Sequence, residues 1–174
     1  GDFGVLNDLG RKQVLQLRES LKQILRLINQ LLDAENLESG TLKVDLKVVP
    51  VSAITESSIS LLQPLAQKKE LKVSVSDSEE LVFADFDRSV QVLNNVLSNA
   101  IKWSPHSAQI RINVSVDGDY AKFEIIDEGP GIAIKDWATI FERFKSLDVH
   151  DNSSKSEGTQ GHSRLGLYIS KNLV

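Results

Sequence analysis

Three stretches of this chain carry residue types able to hold a charged ligand. In the first, Arg88, Gln91, Asn95, Asn99 and Lys102 recur in steps of three and four, so at about 100° per residue they share one narrow stripe of a helix. Val90, Leu93, Leu97, Ala100 and Ile101 fall on the opposite side. A polar stripe most often marks a solvated face. Such faces favour Glu and Lys, however, and Asn is a poor helix former. Asn95 and Asn99, one turn apart, stack two amide oxygens ahead of the Lys102 ammonium. Oxygen donors suit a hard cation and an ammonium suits phosphate oxygens, so this spacing serves an Mg2+–phosphate group.

The second stretch is Asp127-Glu128-Gly129-Pro130-Gly131-Ile132, directly after a strand pattern. Gly129 and Gly131 let backbone approach a ligand closely, and Asp127 is placed to accept a hydrogen bond from an exocyclic amine. A plain turn uses the same residues. It is no Walker loop, since no G-K-[ST] follows, and no dinucleotide fingerprint, since the strand leads into no such helix. The third stretch, Gly161-His162-Ser163-Arg164-Leu165-Gly166-Leu167, feeds a helix whose N-terminal N–H groups can meet phosphate; a simple helix start reads the same way.

The elements that must position these residues follow from periodicity. Val14, Leu17, Leu21, Ile24, Ile28 and Leu31 form a heptad-like seam, widened by Leu25 and Leu32, that predicts a helix closing at Gly40. An ordinary amphipathic helix packed on its own domain is the competing reading. Strict alternation predicts a half-buried strand over 42–49 with Leu42, Val44, Leu46 and Val48 inward. A helix over 52–67 should bury Ile54, Ile59, Leu62, Leu65 and Ala66. Short strands are expected at 71–75 and 81–84, then the Asn-bearing helix over 87–103, capped by Asp85 or Asp87 and stopped by Ser104-Pro105. Strands at 109–116 and 120–126 should form a hairpin around Asp117-Gly118-Asp119. A short helix around 135–141, a polar Gly/Ser-rich loop over 145–164 and a helix from 165 complete the pattern. The fold class is α+β: a mixed, mostly antiparallel sheet with helices on one face, preceded by one further helix.

Composition narrows the function. The chain has 174 residues, 41% hydrophobic and 25% charged, with a net charge of −4. That balance supports a packed core and argues against a nucleic-acid or anionic-membrane surface, which wants clustered Lys and Arg. The absence of Cys removes disulfide, thiol and Cys-metal chemistry. His106, His150 and His162 lack the spacing of a helical metal site. No apolar run approaches the ~20 residues of a membrane span. The absence of Met and the stop at Val174 inside an amphipathic pattern lead us to expect a piece of a longer chain.

In order, these stretches resemble the histidine-kinase branch of the Bergerat-fold ATPases. NNVLSNAIKWSP (94–105) resembles the N box, DEGPGI (127–132) the first glycine box, IFERF (140–144) the F box and GHSRLGLYIS (161–170) the second glycine box. LINQLLDAENLESG resembles the end of the second helix of the dimerisation and phosphotransfer domain. The resemblance implies a Bergerat two-layer sandwich over 41–174, with its C-terminal strands missing, preceded over 1–40 by the dimerisation hairpin's C-terminal part. It further implies that Asn95 and Asn99 flank Mg2+, with Asn99 the surer ligand, and that Lys102 contacts phosphate. Trp103, where the family often has Tyr, would pack along adenine. Asp127 would read the adenine amino group in a pocket shaped by Gly129, Gly131 and Ile132. Phe141 and Phe144 would anchor a lid over roughly 145–160, and Ser163, Arg164, Leu165, Gly166 and Leu167 would line the phosphate end. The implied cofactors are ATP and Mg2+. The implied partners are a second copy, through the N-terminal helix, and a response regulator, in the cytoplasm and without direct membrane contact.

Three departures qualify the implied activity, transfer of the ATP γ-phosphate to a histidine. His162 and Arg164 stand at expected glycine positions, where side chains would crowd the phosphate loop unless Arg164 itself contacts phosphate. No histidine lies in an H-E/D-x-x-x-P setting, so the phosphoacceptor is absent, and so are the strands that should follow Val174. A pseudokinase or nucleotide-regulated interaction module is therefore the alternative. The hydrolytic gyrase, mismatch-repair and chaperone branches place Glu where Asn95 stands, and Asn cannot act as that general base.

Overall fold

The computed structural model describes residues 7–76, 78–143 and 165–174. Phe144, Ser163 and Arg164, the lid segment and the loop histidine His162 lie outside the described residues.

The long first helix, α1 (Asp8–Glu38), starts at Asn7, whose side chain accepts from the Gly10 N–H. It closes as expected through Ser39 and Gly40, whose φ of +65° suits a residue without Cβ. Its heptad seam stays in water: Leu17, Leu21 and Ile24 are all more than half exposed. Among the described residues, its buried positions Gln30 and Ala34 lie in its last turns, where it meets the rest of the chain.

Strand β1 (Lys47–Pro50) pairs antiparallel with β3 (Leu81–Ala84), a two-stranded ribbon at the start of the domain. The expected strand over 42–49 is thus cut to its last residues, and its inward face is the other one. Val49 is buried while Val48 is exposed, as are Val44 and Leu46. The cause is local: the Asp45 N–H donates to Asp85 Oδ2 at 2.8 Å instead of to a neighbouring strand.

Helix α2 (Val51–Lys68) and helix α3 (Phe86–Trp103) pack side by side over a three-stranded sheet. In that sheet β2 (Lys72–Val75) runs parallel to β4 (Gln109–Asp117), which pairs antiparallel with β5 (Tyr120–Ile126). The hairpin turns on Gly118-Asp119 with Gly118 at φ +61°. Alternation on β4 puts Ile110 and Ile112 inward at full burial, where they meet Leu62, Ala66, Leu97, Ala100 and Ile101. Leu65, expected inward, is half exposed; α2 instead buries Thr55 and Ser58 on the face it turns to its neighbours. A second cluster, Val49, Ile54 and Leu93, sits beneath the ribbon. The segment expected as a helix at 135–141 forms only a 3-10 turn (Ile134–Asp136) followed by turns. Trp137 there donates Nε1–H to the Ile132 carbonyl at 2.9 Å, a bond that holds the loop folded without a continuous helix. Helix α4 (Gly166–Leu173) packs on α3 and on the end of α1. The α+β layering, with helices on one face of a mixed sheet and a helix before it, is the architecture read from the sequence.

Candidate functional site

The site is built on α3. Asp85 caps it, accepting the Arg88 N–H at 3.0 Å. Burial alone would push the Asp85 carboxyl up, but backbone N–H donors from Asp45, Arg88 and Asp87 outweigh it and hold the carboxyl below the usual carboxylate range. The second half of α3 then buries Leu93, Leu97, Ala100 and Ile101, so the opposite stripe is fixed in direction.

That stripe is used differently along its length. At its start Arg88 donates to Asp33 Oδ1 at 2.8 Å and to Gln91 Oε1 at 2.8 Å, while Gln91 donates to Asp33 Oδ2 at 2.7 Å. The Asp33 side chain keeps only 16% exposure and the Arg88 side chain 28%, so water screens this pair weakly. One turn on, Asn95 donates from Nδ2 to the Gly166 carbonyl at 3.1 Å and to Ser170 Oγ at 3.2 Å. A Cβ on Gly166 would lie 3.2 Å from Asn95 Oδ1, so glycine is what lets α4 begin this close to α3. Asn99 comes next. Among the described residues its carboxamide has no partner, although it is half-buried. Lys102 follows, its ammonium 4.7 Å from the Trp103 ring centroid. Burial holds its pKa below the ordinary lysine value.

The first glycine loop meets the same end of α3. Asp127 Oδ1 accepts the Gly129 N–H at 2.7 Å. A Cβ on Gly129 would fall 2.6 Å from Asp127 Oδ1 and 3.2 Å from the Trp103 carbonyl oxygen, so a side chain there would displace the Asp127 carboxylate and press on the end of the helix. Gly131, at φ +72°, lies in the left-handed region. Ile132 is partly exposed. Trp103, Asp127, Gly129 and the Asn99–Lys102 turn therefore gather at one end of α3.

The rest of the expected site splits. Leu165 is buried, with Ile169, against Ala34 of α1, so its side chain faces the first helix. Leu167 is half-buried. Phe141 is partly exposed, with the Lys171 ammonium 5.8 Å from its ring. Sequence reasoning missed the groups that tie α1 to these boxes: Asp33, and Arg143, which donates to Glu35 and to Glu38 Oε1 at 2.7 Å. Tyr168 also donates to Glu38 Oε1, at 3.2 Å. The acidic positions 33, 35 and 38 near the end of α1 were the available signal, one that a solvated helix end shares.

Among the described residues no group of three or more His, Cys, Asp or Glu is arranged to hold a metal. The Asn99 oxygen, without a partner among the described residues and about one turn from Lys102, fits a hard cation that brings its other oxygens on a phosphate ligand. A cavity of about 280 Å³ between α2, α3 and β2, lined by Leu62, Gln63, Ala66, Gln67 and Ile101 among others, lies on the buried side of α3 and carries none of these groups. No described helix is long and apolar enough to cross a membrane.

Residues 84–174 match the family described as histidine kinase-, DNA gyrase B- and HSP90-like ATPases, and the chain belongs to that family. Several of the relatives it is similar to are named as histidine kinases. The chain is 28% identical over 176 residues to the circadian input-output histidine kinase CikA of Synechococcus elongatus, covering 99% of this chain and 23% of that protein. It is 32% identical over 179 residues to the non-motile and phage-resistance protein of Caulobacter vibrioides, covering 99% of this chain and 20% of the relative. It therefore spans about a fifth of the length of these curated relatives. Among solved structures, full-length ShkA in complex with AMPPNP superposes with a TM-score of 0.78 at 28% identity, covering 98% of this chain and 34% of that one. The Acinetobacter baumannii histidine kinase AdeS does so with 0.72 at 22% identity, over 98% of this chain and 74% of that one, a likeness of fold.

Proposed function

We propose that this chain binds ATP with Mg2+ and transfers the γ-phosphate to a histidine on dimerisation helices, as the catalytic part of a two-component sensor kinase. The observation that carries the reading is the convergence at one end of α3: the partnerless Asn99 amide, the Lys102 ammonium and a glycine loop seated on the Trp103 carbonyl beside Asp127. In this reading Asn99 is the protein's cation ligand. Mg2+, when bound, neutralises charge on the phosphates. Lys102 leaves its perch over Trp103 to meet phosphate oxygens, and its partial burial strengthens that contact. Trp103 lies along the purine, Asp127 accepts from the purine's amine, and Gly131 and Ile132 shape that pocket. Asn95, already bonded to Gly166 and Ser170, contributes chiefly by holding α4. Leu167, with Ser163 and Arg164, borders the phosphates. Residues 1–40 belong with the dimerisation hairpin and 41–174 with the catalytic domain. The exposed seam of α1 is the face a second copy covers, and a response regulator takes the phosphate onward.

The test supplies the chain with labelled ATP, Mg2+ and a separate histidine-bearing dimerisation hairpin. Acid-labile label on the hairpin, lost in Asn99→Ala, supports transfer; binding without label favours the second reading. That reading, a nucleotide-regulated interaction module, is motivated by His162 and Arg164 at glycine positions. If His162→Gly with Arg164→Gly creates ATP affinity where the natural chain has none, the domain is a degenerate pseudokinase and neither transfer nor nucleotide regulation holds.

A further inference from the structure

α3 ends without the usual device. Ser104 leaves the helix in an extended conformation at ψ 143° and Pro105 follows, so no left-handed residue turns an N–H back onto the last carbonyls, which would otherwise lack partners. A side chain from another element replaces it. Lys69, just past the end of α2, donates from Nζ to the Lys102 carbonyl at 2.6 Å and to the Ser104 carbonyl at 3.0 Å. Its charge also meets the negative end of the helix dipole.

The turn carrying Lys69 is itself fixed to the turn that follows α3. The Ser107 N–H donates to the Lys69 carbonyl at 3.0 Å, Ser107 Oγ donates to Glu70 Oε2 at 3.0 Å, and the Lys72 N–H donates to the Ala108 carbonyl at 3.0 Å. Glu70 and Ser107 both hold left-handed φ, +57° and +61°, which non-glycine residues rarely adopt. Two strained turns thus brace each other and aim one ammonium at the end of α3. That end is the proposed ligand end: Lys102 and Ser104 are the residues clamped, Trp103 lies between them, and the Trp103 carbonyl is what Gly129 rests on.

We infer that Lys69 is a positioning residue for the nucleotide site, clamping the last turn of α3 so that Lys102, Trp103 and the first glycine loop hold their places. This rests on the proposed nucleotide reading for its consequence, though not for the clamp itself. The experiment uses the 174-residue chain and compares Lys69→Met, Lys69→Arg and Ser107→Ala. Amide exchange is followed without nucleotide at the Ser104 N–H, which bonds the Ala100 carbonyl. Affinity is followed with a fluorescent ATP analogue and Mg2+. A hydrogen bond from a charged donor carries about tenfold in an equilibrium. Lys69→Met should therefore speed Ser104 exchange about tenfold and weaken the analogue by a similar factor. Lys69→Arg should recover most of both. Ser107→Ala, which leaves the Lys69 ammonium in place, should lower thermal stability without weakening the analogue. Unchanged Ser104 exchange in Lys69→Met overturns the inference. So does a Ser107→Ala loss of affinity as large as that of Lys69→Met. If Lys69→Met does not fold, Lys69→Gln is read against the same outcomes. Faster Ser104 exchange in a chain whose unmutated form binds no nucleotide keeps the clamp and removes the nucleotide reading instead.

Discussion

The two halves of the α3 stripe are alike in sequence and opposite in use. From Arg88 to Asn95 each side chain of the stripe is bonded to a neighbouring element: Arg88 and Gln91 hold Asp33 of α1, and Asn95 holds α4. From Asn99 to Lys102 the amide has no partner among the described residues and the ammonium only an aromatic face. A helical polar stripe is therefore not one feature. Its first half joins elements, its second half has no such partner among the described residues, and what separates them is which neighbour reaches α3 at each turn.

The sharpest way to break this contrast is Asn99→Ala. It removes the one cation ligand the reading assigns, so Mg2+-dependent affinity for an ATP analogue should fall at least about tenfold, roughly 1.4 kcal/mol. Thermal stability should hold within about 0.5 kcal/mol, since no side-chain hydrogen bond among the described residues is lost; a large stability loss would make Asn99 structural, like its neighbour one turn back.

Arg88→Ala tests the other half. It leaves Asp33 half-buried with its charged partner gone, at a cost of about 1–3 kcal/mol, and amide exchange at the end of α1 should quicken. Nucleotide affinity should stay within about twofold, because the sites are turns apart and share no partner. Loss of affinity as well would merge the two halves.

Gly166→Ala sharpens the boundary between them. The new Cβ would meet Asn95 Oδ1 at 3.2 Å, so Asn95 and α4 must separate slightly, at about 1 kcal/mol. Melting should show it, with a smaller loss of analogue affinity than Asn99→Ala gives.

Asp85→Asn has the smallest expected effect. Asparagine still caps through its one oxygen, but its Nδ2 cannot accept the Asp45 N–H, so that exposed bond is lost with the charge–dipole part, together about 1 kcal/mol near neutral pH. The folded-state pKa of Asp85 is depressed. Its contribution is thus present above the ordinary carboxylate range and lost as pH falls through the depressed value. Melting curves of the two proteins should converge in acid; a gap that persists there would point to packing instead of charge.

Much of this was legible from residues. The seam of α1, the α3 faces and the Gly118 hairpin follow from periods of 3.6 and 2 and from where left-handed φ is needed. The 42–49 strand was misjudged because alternation cannot report that the Asp45 N–H goes to Asp85, nor which face a two-stranded ribbon turns inward. The partition of the stripe was illegible for a related reason. Whether an Asn is spent on a neighbouring carbonyl depends on Gly166 arriving from 71 residues away, and no local pattern carries that. The bonds from Arg143 and Tyr168 to the end of α1 are likewise visible only once the helices are packed.

The most direct test of the divided stripe is calorimetric titration of the unmutated chain, Asn99→Ala and Arg88→Ala with a non-hydrolysable ATP analogue, each with and without Mg2+. The account predicts that the unmutated chain and Arg88→Ala bind alike and more tightly with the metal, while Asn99→Ala gains nothing from it. Metal-enhanced binding that survives in Asn99→Ala, or that disappears equally in Arg88→Ala, would contradict it.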